Sequence, residues 1–520
     1  MPPPVKLAIV GGGPSAFYVA SRLLSLVPHA DPPSPSLRVH IFDRLWAPHG
    51  LVRYGVAPDH PEVKVRARRR LRLPRLTPPK NCTHKFDQTA ADPRFRFFGN
   101  VHVGSASPAS IPHALPLPLS SLLQNYTHLL FAAGCTRPTL HPAIPPSEHC
   151  VPALSLVHWY TRHPSNPPPP ALDKITHLAL IGNGNVSLDI ARMLLTPPSV
   201  LKKYDVPEHV LDVLSRSTLQ HVSIIGRRGP LEAAFTNKEL REMMHLPDAS
   251  MVPLDPSLLT FPEGTALSRQ QRRTFELLRK GSQSRFGSTQ KTWSLDFYRM
   301  PTALTPSRSS TDSAELTLAH TVLDPSTGRA ISTDQTSTVT TSLVVTSLGF
   351  HVDPTAAFFD PSSNHLRARG GRILSESGIP LRNMYASGWS ANGAKGVLAT
   401  TMMDAYAVAD TILSDIVSSS AGDVSVEATP AGEHGSEAVP NTLMPNLAPH
   451  PEDAPEEIKQ GIKDGLVTQY YDWNAIDAEE VRRGALIGKE RERMGWEDAS
   501  KFLSITSRSL RQRNSSSWGH

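Results

Sequence analysis

Two stretches of the chain share one pattern of apolar and polar positions. Residues 7–24 are LAIVGGGPSAFYVASRLL and residues 178–195 are LALIGNGNVSLDIARMLL. In each, an apolar run typical of a buried strand leads into a G-x-G-x-x-[AS] turn, and apolar positions at helical spacing follow. One such turn would equally fit a tight βα connection. The repeat predicts two βαβ units, each with a nucleotide-binding turn between its strand and its helix.

The glycines of the two turns have distinct predicted roles. Gly11 and Gly182 allow the sharp bend after the strand. Gly13 and Gly184 let the backbone approach a pyrophosphate at the positive end of the following helix.

The strand after each turn predicts which nucleotide binds there. The strand LRVHIFDR ends in Asp43, whose carboxylate suits the free diol of an adenosine ribose, as in FAD or NAD. The strand LQHVSIIGRRG ends in Arg227 and Arg228, whose guanidinium groups suit a 2′-phosphate and therefore predict NADP(H). The alternatives are a solvated acid at a strand end and a surface turn, but each residue stands where the ribose would lie.

The remaining pattern predicts an α/β fold in which the second nucleotide-binding unit interrupts the first. A strand LRNMYASGW and a glycine-led helix return late in the chain and are expected to complete the first sheet. A Ser/Ala/Pro/Glu-rich stretch then predicts a flexible linker before helical periodicity resumes. The predicted limits are 1–137 and 351–417 for the first unit, 138–350 for the second, 418–455 for the linker, 456–506 for a helical segment of the first unit, and 507–520 for a polar tail.

Charge and cysteine content narrow the possible functions. The chain has 53 basic and 47 acidic residues, a net charge of +6. Seven of the basic residues lie in residues 65–80, VRARRRLRLPRLTPPK, so the rest of the chain has 46 basic against 47 acidic residues. Composition outside that segment therefore predicts no nucleic-acid partner. The three cysteines form no C-x-x-C or metal-type cluster, no apolar run has the length of a membrane span, and no targeting presequence is recognisable.

Six motifs, in this order, resemble those of the mitochondrial adrenodoxin reductase (ferredoxin–NADP⁺ reductase) family, and specifically those of its fungal members. They are GLVRYGVAPDHPEVK (50–64), FRFFGNVHVG (95–104), IGNGNVSLDIARMLLTPP (181–198), IGRRGPLEAAFTNKELREM (225–243), SGWSANGAKGVLATTMMDA (387–405) and YDWNAIDAEEVRRG (471–484). The resemblance implies a glutathione-reductase-like fold, with two Rossmann-like domains, the NADP domain being inserted in the FAD domain. It implies an enzyme that passes electrons from NADPH through FAD, one at a time, to an acidic [2Fe–2S] ferredoxin that supports P450, haem or iron–sulfur biosynthesis.

The resemblance also implies the cell compartment and the site residues. We expect a mitochondrial monomer on the matrix side of the inner membrane, with at most peripheral membrane association and no metal site. By position, the resemblance gives His60 and Asp189 a role in the path to the ferredoxin. The alternative is that His60, with Asp59 and Glu62, forms a loop cluster that fixes the turn near the flavin. The FAD contacts are Gly11, Gly13, Ser15, Asp43, Leu51, Val103, Trp389, Gly396, Val397 and Leu398. The NADP contacts are Gly182, Asn183, Gly184, Asn185, Arg227, Arg228, Glu239 and Gly396. The partner contacts are Lys238, Arg241, Arg269, Arg272 and Arg273.

Two positions depart from the family pattern. Asp43 stands where the family usually has a glutamate, so the side chain that reaches the ribose is shorter by one methylene. The stretch SANGAKGVL replaces the more usual Gly-Pro-Thr-Gly turn around Gly396.

Other functions would require features that this sequence lacks or contains in one segment alone. A flavin disulfide reductase needs a redox cysteine pair, and the glutamate synthase small-subunit type needs cysteine-rich iron–sulfur motifs. A basic adaptor would bind anions through residues 65–80. That segment is an insertion relative to the family, either a solvated loop, an anion-binding arm or a translated intron. We favour the intron, because the segment begins with valine, whose codons start with GT, and ends with lysine, which has a codon ending in AG.

Overall fold

The computed structural model describes residues 4–27, 37–60, 82–104, 111–260, 266–307, 311–420, 445–450 and 453–505. The basic segment 65–80, most of the predicted linker and the predicted tail 507–520 lie outside the described residues.

The strands are given in chain order. They are β1 (Val5–Val10), β2 (Leu37–Asp43), β3 (Phe95–Gly99), β4 (Val101–Val103), β5 (Leu115–Leu117), β6 (His128–Phe131), β7 (Arg137–Pro138), β8 (Cys150–Pro152), β9 (His177–Ile181), β10 (His221–Gly226), β11 (Ala249–Met251), β12 (Lys291–Phe297), β13 (Arg299–Pro306), β14 (Ala314–Leu323), β15 (Ala330–Thr341), β16 (Leu343–Thr346), β17 (Phe350–His351), β18 (Phe359–Asp360), β19 (His365–Leu366), β20 (Ala368–Arg369), β21 (Arg372–Leu374) and β22 (Pro380–Ala386).

The α-helices are numbered in the same way. They are α1 (Pro14–Leu26), α2 (Leu51–Tyr54), α3 (Cys82–Ala90), α4 (Leu119–Asn125), α5 (Ala153–Tyr160), α6 (Asn185–Leu195), α7 (Pro198–Leu201), α8 (Glu208–Ser215), α9 (Asn237–Met244), α10 (Arg269–Lys280), α11 (Trp389–Asn392), α12 (Leu398–Ser420), α13 (Glu456–Lys463) and α14 (Tyr470–Leu486). A further helix covers 496–505. Short 3₁₀ turns cover Pro230–Glu232 and Pro256–Leu259.

The first unit is built on a seven-stranded sheet in the order β20-β21-β22-β6-β1-β2-β3. The strands from β22 to β3 are parallel, with β1 between β2 and β6. A strand covered on both faces is apolar throughout rather than alternating, which explains the run LAIV at its centre. Helices α1 and α12 pack together over one face of this sheet.

The second unit is built on a six-stranded parallel sheet in the order β11-β12-β10-β9-β16-β8. Helices α5 and α6 bury their apolar positions on one face of it. Strands β13, β14 and β15 form an antiparallel sheet whose Leu316 and Leu318 pack on the other face. Each parallel sheet therefore has a separate hydrophobic core.

The chain order of the sheets confirms the predicted fold class. All six strands of the second sheet lie between β6 and β22, which are neighbours in the first sheet. The second unit is thus inserted in the first, as predicted. After α12 the chain remains in the first unit, where α13 and α14 pack beside its sheet. None of the described helices is both long and apolar enough to cross a membrane.

Candidate functional site

One elongated cavity runs from the first glycine turn to the second unit. Its volume is about 2030 Å³, including space that is open to solvent. Of the predicted FAD contacts, eight line this cavity, namely Gly11, Gly13, Ser15, Asp43, Leu51, Val103, Trp389 and Leu398. Gly396 and Val397 precede Leu398 in the chain but do not line it. The far wall comes from the second unit, through Leu154 and Val157 of α5 and Val186 of α6.

The backbone of the first turn has the form that a pyrophosphate needs. Gly11 has a φ of 107°, and a Cβ there would lie 2.5 Å from Ala133 Cα, so only glycine fits. A Cβ on Gly13 would meet no atom within 4 Å. Helix α1 starts directly after this open position. The turn therefore presents free backbone at a helix N-terminus that faces the cavity.

Asp43 ends β2 beside this turn and is buried, with 5% of its surface exposed. Its carboxylate accepts the backbone N–H of Gly12 and that of Leu45, both at 3.0 Å. Burial raises the pKa of Asp43 to about 6, although these two amides and the charge of Arg44 act in the opposite direction. The carboxylate is thus held in place, without a side-chain cation bonded to it, at the wall of the cavity.

The turn that carries Trp389 is organised by Asp404, a residue that the sequence analysis did not single out. This turn also contacts the start of α1, because Ser387 Oγ lies 2.7 Å from Ser15 Oγ. The carboxylate of Asp404 accepts Ser387 Oγ at 3.0 Å, Gly388 N at 2.6 Å and Asn392 Nδ2 at 2.8 Å. This fixes the turn that carries Trp389. The indole Nε1 of Trp389 donates to the carbonyl of Lys395 at 3.1 Å, which fastens the ring to the segment before α12. An acidic residue inside the apolar stretch TTMMDAYAV was the available signal.

The second turn repeats the geometry of the first. Gly182 has a φ of 128°, and a Cβ there would lie 2.3 Å from the carbonyl oxygen of Ser347. Gly184 has no atom within 4 Å of its Cβ position, and α6 begins at the next residue. Because β9 and β10 are adjacent and parallel, this turn lies beside the end of β10, where Arg227 and Arg228 follow with exposed side chains. The predicted NADP residues of both strands are therefore brought together.

The two asparagines of the second turn are held by the loop that follows β10. The backbone carbonyl of Asn183 accepts Ala234 N at 2.9 Å, and Asn185 Oδ1 accepts Thr236 N at 2.7 Å. Thr236 caps α9, and its hydroxyl also contacts Glu239. Glu239 is thus joined to the second turn through Thr236 and Asn185.

His60 and Asp189 do not touch each other but belong to one group of charged side chains, the loop bridge, which consists of Asp59, His60, Asp189, Arg192 and Glu242. Arg192 donates to Asp59 at 2.6 and 2.9 Å and lies 2.9 Å from Asp189 and 3.1 Å from Glu242. Glu242 also bonds His60 Nε2 at 2.7 Å. The loop bridge therefore joins the loop after α2, in the first unit, to α6 and α9 of the second.

The carboxyl groups of the loop bridge have opposite pKa shifts. Burial disfavours ionisation of all three, and it prevails at Asp189, whose pKa is raised. At Asp59 the hydrogen bonds and charge of Arg192 outweigh burial, so the pKa is lowered. The contacts of Glu242 with His60 and Arg192 likewise lower its pKa. The surroundings of Asp189 therefore favour the neutral carboxyl group more than those of Asp59 or Glu242 do.

The predicted partner residues form an exposed basic face on two adjacent helices. Lys238 and Arg241 lie on α9, and Arg269, Arg272 and Arg273 lie on α10. The helices are fastened to each other by Asn237, whose Oδ1 accepts Thr274 Oγ1 at 2.7 Å. Helix α9 also carries Glu242, so the basic face and the loop bridge share one helix.

Sequence reasoning missed three further side chains in the cavity wall. His158 and His163 stack with their ring centroids 3.6 Å apart and both contact Ser165 Oγ. Burial lowers the pKa of His158 to about 3, so this ring is neutral at physiological pH. Cys135 donates to the carbonyl of Trp389 at 3.2 Å, and burial raises the pKa of its thiol to about 12. Their spacing in the sequence matches no motif. Within the described ranges, no group of three or more candidate ligands could hold a metal ion.

Comparison with known proteins gives consistent relatives along almost the whole chain. No family model matches. NADPH:adrenodoxin oxidoreductase, mitochondrial, of Salvelinus fontinalis is 34% identical over 509 residues, which cover 94% of this chain and 89% of that protein. NADPH-ferredoxin reductase FprA of Mycobacterium tuberculosis is 34% identical over 423 residues, which cover 79% of this chain and 84% of that protein. The solved structure of M. tuberculosis FprA in complex with NADPH superposes with a TM-score of 0.75 at 29% identity, covering 96% of this chain and 99% of that one.

Proposed function

The chain belongs to the NADPH:adrenodoxin oxidoreductase family, and from this we propose that it is an enzyme that carries electrons from NADPH through FAD to a [2Fe–2S] ferredoxin. The observation that carries the proposal is the single cavity that connects the first nucleotide turn with Trp389 and with the wall of the second unit. A cofactor in that cavity has one end at the first turn and the other within reach of a nucleotide on the second turn.

The residues of the cavity fit FAD. The open backbone at Gly13 suits the pyrophosphate, and the fixed carboxylate of Asp43 suits the hydroxyls of the adenosine ribose. Asp404 holds the turn that presents Trp389 to the cavity. When bound, FAD supplies the chemistry of accepting two electrons as a hydride and releasing them one at a time. The protein binds, orients and shields it from water.

NADPH is assigned to the second turn. Gly184 provides the open backbone for the pyrophosphate, and Arg227 and Arg228 provide charge-assisted hydrogen bonds for the 2′-phosphate. Asn183 and Asn185 hold the loop after β10 in position, so they serve the site by orienting it as well as by any direct contact. A coenzyme without the 2′-phosphate leaves both guanidinium groups without a partner, which favours NADPH over NADH.

The basic face is the proposed docking surface for the ferredoxin. A cluster of exposed cations speeds the encounter with an acidic partner and fixes its orientation. His60 and Asp189 lie behind this face in the loop bridge, and we assign them a positioning role between partner and cavity. By its family the protein is mitochondrial, and we propose that it works as a monomer on the matrix side of the inner membrane, with at most peripheral attachment.

A spectrum followed by a coupled assay tests the function. The purified protein should be yellow, with the absorbance of an oxidised flavin, and NADPH should bleach it without oxygen, far more efficiently than NADH. Cytochrome c reduction should require added [2Fe–2S] ferredoxin. A preparation that binds no FAD after reconstitution would refute the proposal, and so would a flavoprotein whose turnover is indifferent to ferredoxin.

A further inference from the structure

The segment 469–494, called here the C-terminal segment, crosses from the first unit to the second. It contains α14 and the stretch after it. The buried charged side chains of this segment bond to residues of both units. The segment contains neither of the two nucleotide-binding turns. Three of these contacts go to Asp205, Glu208 and Thr161 of the second unit and two to Arg53 of the first.

Arg493 makes three of these five contacts. It is 2% exposed and its guanidinium bonds both oxygens of Asp205, with Nε to Oδ1 at 2.7 Å. Its Nη1 donates to two backbone carbonyls, Arg53 O at 2.8 Å and Thr161 O at 2.5 Å. Arg53 belongs to α2, and Thr161 is the C-cap of α5. One guanidinium therefore caps the C-terminal ends of two helices, one from each unit.

Both capped helices form walls of the cavity. Leu51 and Tyr54 of α2 line it from the first unit, and Leu154 and Val157 of α5 line it from the second. A direct bond, Thr161 Oγ1 to Tyr54 O at 3.1 Å, joins the same two helix ends. The separation of these ends is thus fixed by Arg493 and Thr161 together.

Arg53 is fixed from its side chain as well. Its guanidinium forms a two-point bond with Glu480 at 3.1 and 2.7 Å, and Glu480 is fully buried. Glu480 also accepts Met494 N at 2.9 Å, next to Arg493 in the chain. The C-terminal segment therefore bonds both the backbone carbonyl and the guanidinium of Arg53 in α2. A displacement of the segment would displace α2.

We propose that Arg493 is a positioning residue that sets the distance between the flavin and the nicotinamide. The proposal rests on the proposed function, in which the two rings meet between the two units. Hydride transfer requires the reacting atoms to approach to about 3–3.5 Å, and a displacement of about 1 Å caused by a distant change can cost roughly 100-fold in rate. Arg493 touches neither nucleotide turn, so its effect should fall on the rate of the step and not on nucleotide binding.

The first test is the change Arg493→Lys, which keeps the charge but removes the planar fork that reaches Asp205 and both carbonyls. Flavin reduction by NADPH is followed in single-turnover stopped flow over a range of NADPH concentrations. We expect the limiting rate to fall by about 10- to 100-fold, with the dissociation constant for NADPH changed by less than about twofold. The matched control is Arg482→Lys. Arg482 lies on the same segment and bonds Glu479 at two points, but its side chain is 62% exposed and contacts only that glutamate. The limiting rate of flavin reduction in the Arg482→Lys variant should equal that of the unmodified protein.

A second measurement does not depend on the reaction. Nitroxide labels are placed at Ser377 in the first unit and Glu276 in the second, both exposed, after replacing the three native cysteines with alanine. Their distance distribution, from pulsed electron resonance, should broaden or shift with Arg493→Lys and stay the same with Arg482→Lys. If Arg493→Lys does not fold, Asp205→Asn replaces it, because Asp205 is the carboxylate that the guanidinium of Arg493 bonds at two points.

The outcomes separate this proposal from the proposed function. A lower limiting rate with an altered distance supports Arg493 as a positioning residue. A folded, flavin-containing variant with an unchanged distance distribution overturns it, as does a loss confined to NADPH affinity. If NADPH does not reduce the unmodified protein, the proposed function fails, while the label distances still decide whether Arg493 sets the separation of the units.

Discussion

Asp43 should make FAD binding depend on pH in a defined window. Burial raises its pKa to about 6 from the ordinary 3.8. In the protein without FAD, burial therefore makes ionisation of Asp43 less favourable than that of an exposed aspartate, by about 3 kcal/mol for a shift of roughly two units. Ribose hydroxyls that donate to the carboxylate favour its ionised form and lower the pKa again in the complex. FAD should then bind best above pH 6 and lose affinity as the pH falls through that value.

The magnitude follows from the shift. At pH 5 the carboxyl group of the FAD-free protein is about nine-tenths protonated, so the dissociation constant should be about tenfold higher than at pH 7. The limit at lower pH is roughly 100-fold. The change Asp43→Asn keeps the shape but removes the titrating charge, so it should weaken binding at pH 7 by about 10- to 100-fold, the value of a hydrogen bond to a charged group. It should also remove the pH dependence between 7 and 5.

The assay is the fluorescence of released FAD, measured at equilibrium from pH 7.5 to 5. Asp353→Asn is the control, because Asp353 also lines the cavity but lies in an ion pair with Arg137 at 3.2 Å. It should retain the pH dependence of the unmodified protein. If Asp43→Asn shows the same tenfold loss between pH 7 and pH 5 as the unmodified protein, another group causes the effect and the assignment of Asp43 is wrong.

Three further predictions concern the coenzyme, the partner and stability. Replacing Arg227 and Arg228 with alanine should raise KM for NADPH by about 10- to 100-fold and leave KM for NADH unchanged, as steady-state kinetics would show; an equal loss for both coenzymes would contradict the 2′-phosphate assignment. Arg272→Glu should lower kcat/KM for ferredoxin by on the order of tenfold at low salt, with the difference shrinking as salt is added and kcat retained; a salt-independent loss would contradict docking at the basic face. Glu480→Ala should destabilise the protein by about 3–5 kcal/mol in denaturant unfolding, because it leaves Arg53 buried without its partner, whereas Glu479→Ala should cost less than about 1 kcal/mol, because its partners Arg482 and Arg483 are 62% and 35% exposed to water; similar losses in both would show that leaving a buried cation unpaired is not the cause.

The sequence predicted those parts of the molecule that depend on short, local patterns. Both glycine turns, with the helices that follow them, are local, and the positive φ of Gly11 and Gly182 explains why glycine stands there. The end of a strand is also local, so Asp43 and Arg227 could be placed beside the turns before any coordinates were known.

The remainder depends on contacts between distant parts of the chain. Arg192 bonds Asp59, which is 133 positions away, and Arg493 bonds Asp205, which is 288 positions away. The periodicity of apolar positions does not predict such pairs, because each side chain alone resembles an ordinary solvated charge. The stacked His158 and His163 depend in the same way on a bend after α5, which a pattern of apolar positions does not specify.

The insertion of one unit in the other has a consequence for the order of synthesis. Strand β6 cannot complete its pairing until β22 has been synthesised, because Leu129 pairs with Met384. At about 5–20 residues per second, a ribosome needs roughly 13–50 s to produce the 254 residues between Leu129 and Met384. The second unit can fold during this interval, while the emerging first unit has an unpaired edge at β6, whose four residues are buried in the folded protein. Such edges favour association with other chains. The nascent protein therefore has a period in which this edge is open to other chains, and the period ends only when β22 has been made.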